Sequence, residues 1–287
     1  MKKILVLLMC LLLCSCEAKT FNHNYDDIHE IDYSSAKTFD FDIRSNEYML
    51  VNLSEFKVEY CKDNDLRIYP ASLTKLMTLD TVLNTFDDLS VTSSISNEQI
   101  IDLINQDASL ASLQADYEYT LYDLLYGLML PSGADAAIAL ENYFIENNLN
   151  LMEQMKLQLK KLNCNDTNFV NSTGLHDDNH YTTLNDLLKI LLDVLSFESG
   201  REILETVNYL SEDHILFRSA LQLINVDGVK VLGGKTGYTD ESGQSVIVLY
   251  KANNRSYALF LANAMADSYY KQRYHIDDAM EIMNQLY

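Results

Sequence analysis

Apolar and polar side chains alternate over residues 47–53 and again over 56–60, in runs rich in Tyr, Val and Phe, and this period of two predicts a pair of β-strands. The period then changes. Leu73, Leu76, Met77, Leu79 and Leu83 recur at helical intervals after Pro70, whose fixed φ and missing N–H suit a first turn, so a helix is predicted to start near residue 70. The same pattern fills residues 120–130, 132–147 and 149–162, and residues 183–195 make another amphipathic helix with Thr182 or Thr183 as its cap. After Asp227, apolar runs at 229–232, 245–250 and 257–262, separated by Gly and Asn, read as consecutive antiparallel strands, and residues 267–287 read as a closing helix. Strands, helices, strands and helix in that order predict an α/β chain of the α+β type. Its antiparallel sheet is built from both chain ends, with a helical lobe inserted between them.

The amino terminus has a different character. Lys2 and Lys3 precede an apolar run over residues 4–13 that is too short to span a bilayer and has the flanks of a secretory signal. The run ends in Leu13-Cys14-Ser15-Cys16, similar to a bacterial lipobox, in which the cysteine is acylated and becomes the first residue of the mature chain. Residues 1–16 are therefore expected to be a lipoprotein signal with Cys16 the lipidated residue; the alternative is a plain signal peptide cleaved nearby. Either way an extracytoplasmic protein is expected, anchored to the cell membrane by its lipid or else secreted. Residues 17–42, polar and acid-rich, are expected to form a tether.

Composition narrows the classes. Of 287 residues, 48% are hydrophobic and 22% charged, which is a globular balance rather than that of a disordered chain. The 42 acidic residues against 21 basic ones give a formal charge of -21, with no basic stripe to offset it, and this argues against nucleic acid as a partner. Once Cys10, Cys14 and Cys16 are assigned to the amino terminus, only Cys61 and Cys164 remain, too few for a disulfide framework; a single bridge and two free thiols both stay open.

Three short elements carry chemistry: Ser72-Leu73-Thr74-Lys75, Ser132-Gly133-Ala134 and Lys235-Thr236-Gly237. Positions i and i+3 share a helix face, so the Ser72 hydroxyl and the Lys75 amine can meet, and a neutral lysine can take the hydroxyl proton. Burial and a second cation both favour neutral lysine, and Lys235 could supply that cation if the sheet brings it close. Ser72 is also placed in a first helical turn, where unpaired N–H groups favour developing negative charge. His176 and His180 have the i, i+4 spacing of a metal pair, but no Glu follows the first His as in the zinc-peptidase pattern, and neither a metal nor a cofactor is expected.

Order gives these elements their specificity. Ser132 follows Ser72 by 60 residues and Lys235 follows Ser132 by 103, the arrangement of penicillin-binding proteins and serine β-lactamases. Tyr69-Pro70-Ala71-Ser72-Leu73-Thr74-Lys75, the stretch from Asp123 through Pro131-Ser132-Gly133-Ala134-Asp135, Asn171-Ser172-Thr173-Gly174-Leu175, His180-Tyr181-Thr182-Thr183 and Gly234-Lys235-Thr236-Gly237-Tyr238-Thr239 closely resemble the serine D-alanyl-D-alanine carboxypeptidases, the low-molecular-mass penicillin-binding proteins. The resemblance implies the β-lactamase/DD-peptidase-like fold over residues 43–287 and an acyl-enzyme mechanism. Ser72 would be the nucleophile, Lys75 its base and Ser132 the proton relay. Lys235 and Thr236 would hold the substrate carboxylate, Gly237 completes that motif, and the N–H groups of Ser72 and Tyr238 would form the oxyanion hole. The implied partners are peptidoglycan stem peptides ending in D-Ala-D-Ala and, as covalent inhibitors, β-lactams.

One departure stands out: where the family usually has Asn, this chain has Ala134, whose methyl can contact neither lysine nor substrate as an amide does. Two alternatives therefore accompany the carboxypeptidase reading. One is a penicillin-binding pseudoenzyme in cell-wall or sporulation maintenance. The other is a class A-like β-lactamase, for which Glu146-Asn147-Asn148-Leu149-Asn150 matches a deacylation motif but stands only 14 residues after Ser132.

Overall fold

A computed structural model describes residues 31–265 and 272–287. The strands β1 (Glu47–Asn52) and β2 (Lys57–Lys62) open the chain, and β7 (Val229–Thr239), β8 (Gly243–Ala252) and β9 (Arg255–Ala264) return near its end. All five pair antiparallel in the order β2-β1-β9-β8-β7, so the two halves of the sheet meet where β1 joins β9, as the pattern predicts. Between them lie α1 (Lys75–Thr85), α2 (Asn97–Asn105), α3 (Leu121–Met129), α4 (Ala134–Glu146), α5 (Leu151–Lys161), α6 (Leu184–Ser196) and α7 (Glu198–Leu204), with two short hairpins, β3 (Thr92–Ser93) with β4 (Tyr119–Thr120) and β5 (Asn208–Leu210) with β6 (Leu216–Arg218). Helix α8 (Tyr274–Leu286) follows the sheet, and the preceding part of the expected closing helix, from 267 to 271, lies outside the described residues.

Alternation along the strands divides the core in two. Met49, Val51, Ile247, Leu249, Ala258 and Phe260 face the helical lobe, while Tyr48, Leu50, Val246, Val248, Leu259 and Leu261 face Ile276, Ala279, Ile282 and Met283 of α8. Every β1 residue is buried because both faces are covered. Within the lobe, side-chain caps fix the helix starts. Thr183 rather than Thr182 accepts the Asp186 N–H at 3.1 Å, and Ser96 with Gln99 forms a reciprocal capping box on α2.

Residues 1–30, which include Cys16 and most of the expected tether, lie outside the described residues. The remaining tether residues form a strap along β2. The Asp32 N–H bonds Phe56 O at 3.0 Å, the Lys37 N–H bonds Glu59 O at 3.0 Å, and Phe39 packs among Phe41, Tyr48 and Tyr60. The strap covers β2, which would otherwise be a free sheet edge. No helix among the described residues is long and apolar enough to cross a membrane. Cys61 and Cys164 are free thiols, the latter buried and pushed up to about 12 by that burial.

Candidate active site

A cleft of about 1090 Å³ lies between the edge strand β7 and the helical lobe, and Ser72, Lys75, Ser132, Ala134, Thr173, Thr236, Gly237 and Tyr238 line it. Local sequence explains the placement. Pro70 leads into a 3-10 turn, Ala71–Thr74, and α1 begins only at Lys75, so Ser72 sits in the tighter turn ahead of the α-helix. Ala71 holds this turn with φ +46°, in the left-handed region. The close approach of β7 leaves little room at Gly237, where a Cβ would stand 3.0 Å from the Pro70 carbonyl oxygen and 3.3 Å from Ser72 N.

Lys75 Nζ donates to Ser72 Oγ at 3.1 Å and also to the carbonyl oxygen of Thr173. Burial brings the amine down to about 7, against the pull of the Asp135 carboxylate, so a large share of it is neutral at physiological pH. Lys235 lies beneath the cleft rather than in its lining. Its Nζ donates to Thr236 O at 2.7 Å, and burial, with Lys75 beside it, holds it well below the usual lysine range. Lys75 thus helps to lower Lys235, but the lowering of Lys75 itself comes from burial and not from Lys235 as the second cation that the sequence suggests.

Ser132 is a backbone outlier at φ +67°, and its buried Oγ has no hydrogen-bond partner among the described residues. Such strain costs about 1–3 kcal/mol and persists only where its surroundings impose it. Here the Gly133 N–H bonds Gly127 O at 2.9 Å and the Ala134 N–H bonds Ser109 O at 2.7 Å, while Asp135 accepts the N–H groups of Ala111 at 2.7 Å and Leu113 at 3.1 Å. An unpaired hydroxyl thereby lines the cleft beside the hydrogen-bonded Ser72 and Lys75 side chains, an arrangement that could serve acyl transfer.

A model of the D-alanyl-D-alanine carboxypeptidase family matches residues 33–265. The chain belongs to that family. It is 27% identical over 212 residues to the carboxypeptidase DacF of Bacillus subtilis, covering 72% of this chain and 54% of that one. To DacA of Haemophilus influenzae it is 26% identical over 230 residues, covering 74% and 55%. The chain thus spans about half the length of these relatives. Its fold is similar to that of the Streptomyces K15 DD-transpeptidase, with a TM-score of 0.74 at 23% identity over 86% of this chain and 98% of that one. Penicillin-binding protein D2 of Listeria monocytogenes, solved in its ampicillin-bound form, gives 0.67 at 20% identity over 84% and 96%.

Against the family pattern, Ala134 lines the cleft with its methyl, and the acceptors of Lys75 are Ser72 Oγ and the Thr173 carbonyl rather than a side-chain amide. Glu146 ends α4 at the surface and does not line the cleft. The His180 Nδ1 accepts the Val170 N–H at 3.1 Å, which leaves Nε2–H to donate to Thr74 Oγ1 at 2.7 Å. Burial pushes this imidazole down to about 4, so it is a neutral strut under the Ser72 turn. His176 instead sits in the cleft rim, edge-on to Tyr69, and no group of metal ligands occurs among the described residues.

Sequence reasoning missed Arg218. It ends β6, lines the cleft, is exposed, and has no ion-pair partner among the described residues. A three-residue strand beside a polar turn offers no periodicity that would have marked it.

Proposed function

We propose that the protein is a serine D-alanyl-D-alanine carboxypeptidase that binds penicillin covalently. The observation that carries this reading is the buried Lys75 amine 3.1 Å from Ser72 Oγ in an open cleft, its pKa lowered by burial. Lys75 takes the Ser72 proton as Oγ attacks the carbonyl between two terminal D-alanines. The peptide C–N bond then breaks, Ser132 Oγ passes a proton from Lys75 to the departing amine, and water hydrolyses the Ser72 ester. Thr236 and Arg218 receive the terminal carboxylate, with Lys235 below them. We also propose that the amino-terminal signal is cleaved immediately before Cys16, that Cys16 then carries a lipid anchor, and that residues 43–287 form the catalytic domain.

Incubating the full chain with a peptide ending in D-Ala-D-Ala should release free D-alanine, and labelled penicillin should form a lasting ester at Ser72. Rapid turnover of a chromogenic cephalosporin instead would make it a β-lactamase. Penicillin labelling without D-alanine release would favour the impaired protein that Ala134 suggests.

Arg218 gives a second expectation. A hydrogen bond to a charged group contributes about 1.5–3 kcal/mol, so Arg218→Gln should raise KM for the peptide about 10- to 100-fold with a smaller change in kcat. Capping the peptide as a carboxamide should penalise the parent protein and leave the variant little changed; equal penalties for both would remove Arg218 from carboxylate binding.

A further inference from the structure

The carbonyl that accepts from Lys75 belongs to a loop, residues 171–174, whose position is imposed by its contacts. Asn171 Oδ1 accepts the Gly174 N–H at 2.7 Å and Thr173 Oγ1 at 3.1 Å, which folds the loop on itself. The loop is then tied outward at Ser172 in two directions. Its carbonyl accepts Thr78 Oγ1 of α1 at 2.8 Å, and its buried hydroxyl donates to Glu141 Oε1 of α4 at 2.5 Å, the short distance of a charge-assisted bond.

Glu141 lies seven residues after Ala134, two turns along the same face of α4. It is half-buried, and no Lys or Arg pairs with it among the described residues. Burial raises its carboxyl, and the Ser172 hydroxyl opposes that shift. A half-buried carboxylate without a cation is costly, and among the described residues the side-chain partner of this one is the buried Ser172 hydroxyl. We propose that Glu141 is a positioning residue for the lysine base: through Ser172 it fixes the Thr173 carbonyl against Lys75 Nζ. It touches no substrate, and its action is transmitted through one peptide unit. The inference rests on the acyl-enzyme reading above.

The test uses the full chain and labelled penicillin, resolving the noncovalent binding constant from the acylation rate constant. Glu141→Ala and Ser172→Ala should each slow acylation about tenfold, and the double variant should be no slower than either, because both cut the same tie. Noncovalent binding should stay at the parent value, since Thr236 and Arg218 are untouched, and Glu141→Gln, which keeps an acceptor oxygen, should restore the rate. Parent-like acylation in Ser172→Ala would overturn the inference, as would additive losses, a parallel loss of noncovalent binding or no rescue by Glu141→Gln. A parent protein that penicillin does not acylate would overturn the acyl-enzyme reading instead.

Discussion

Replacing Lys75 with methionine is expected to slow acylation of Ser72 by penicillin about 10³-fold while raising the melting temperature. General-base catalysis contributes about 10²–10⁴-fold, and among the described residues Lys75 supplies the one amine hydrogen-bonded to Ser72 Oγ, while Lys235 Nζ bonds Thr236 O. The gain in stability follows from the same burial. Lys75 falls to about 7 in the folded chain from its ordinary 10.5, so between those values the unfolded chain binds more protons and folding becomes more favourable as pH rises. Near pH 7 the parent protein still bears much of the cost of burying a lysine. Methionine has similar length and no charge to desolvate, so it escapes that cost. The same amine sets the pH profile: acylation of the parent protein should rise with pH through about 7, and that of the variant should be nearly flat. Labelling rates measured from about pH 5 to about pH 9, with thermal melts alongside, read all three effects. A variant that keeps the parental rate and pH limb would remove Lys75 as the base.

Much of this site can be read in the sequence because its chemistry depends on short spacings. The i, i+3 interval places Lys75 over Ser72 even in a 3-10 turn, and alternation along β1, β8 and β9 gives the sheet and both halves of its core. What escaped depends on tertiary placement. The β7 run looked as though it ended at residue 232 because Gly233, Gly234 and Lys235 break the apolar pattern. The strand continues to Thr239, and glycine is required there since a Cβ at position 234 would stand 2.0 Å from Ile247 O. The polar strap over residues 31–41 resembled a linker because its polar residues, Asp32, Ser34, Ser35, Lys37, Thr38 and Asp40, outnumber Phe39 and Phe41, the two rings that dock it. Helix α2 did carry a readable signal, the Ser96-x-x-Gln99 box, in a stretch otherwise too polar to attract notice. Arg218 and Glu141 gain their roles from neighbours 17 or more residues away along the chain, which no local pattern encodes.

Gly174→Ala is expected to destabilise the fold by about 3 kcal/mol and to slow acylation about 10²-fold, although the substitution adds only one methyl group. Two costs combine. Gly174 has φ +81°, a conformation that costs an L side chain about 1–2 kcal/mol. Its Cβ would also stand 2.0 Å from the carbonyl oxygen of Ala71 and 2.9 Å from Ser72 N, so the Ser72 turn must give way. Ala71 is itself held at φ +46° by this packing, so the turn has little freedom to absorb the shift without moving Ser72 off Lys75. Gly228 separates the two contributions. It has a similar φ of +78°, but a Cβ there meets nothing within 4 Å, so Gly228→Ala isolates the backbone strain from the clash. The Gly228 variant should lose about 1 kcal/mol, roughly 2–4 °C in melting temperature, and label with penicillin at the parental rate. If the Gly174 variant lost no more stability than the Gly228 variant and labelled as fast, the 171–174 loop would not be what holds the Ser72 turn in place. That result would leave β7, through Gly237, as its support.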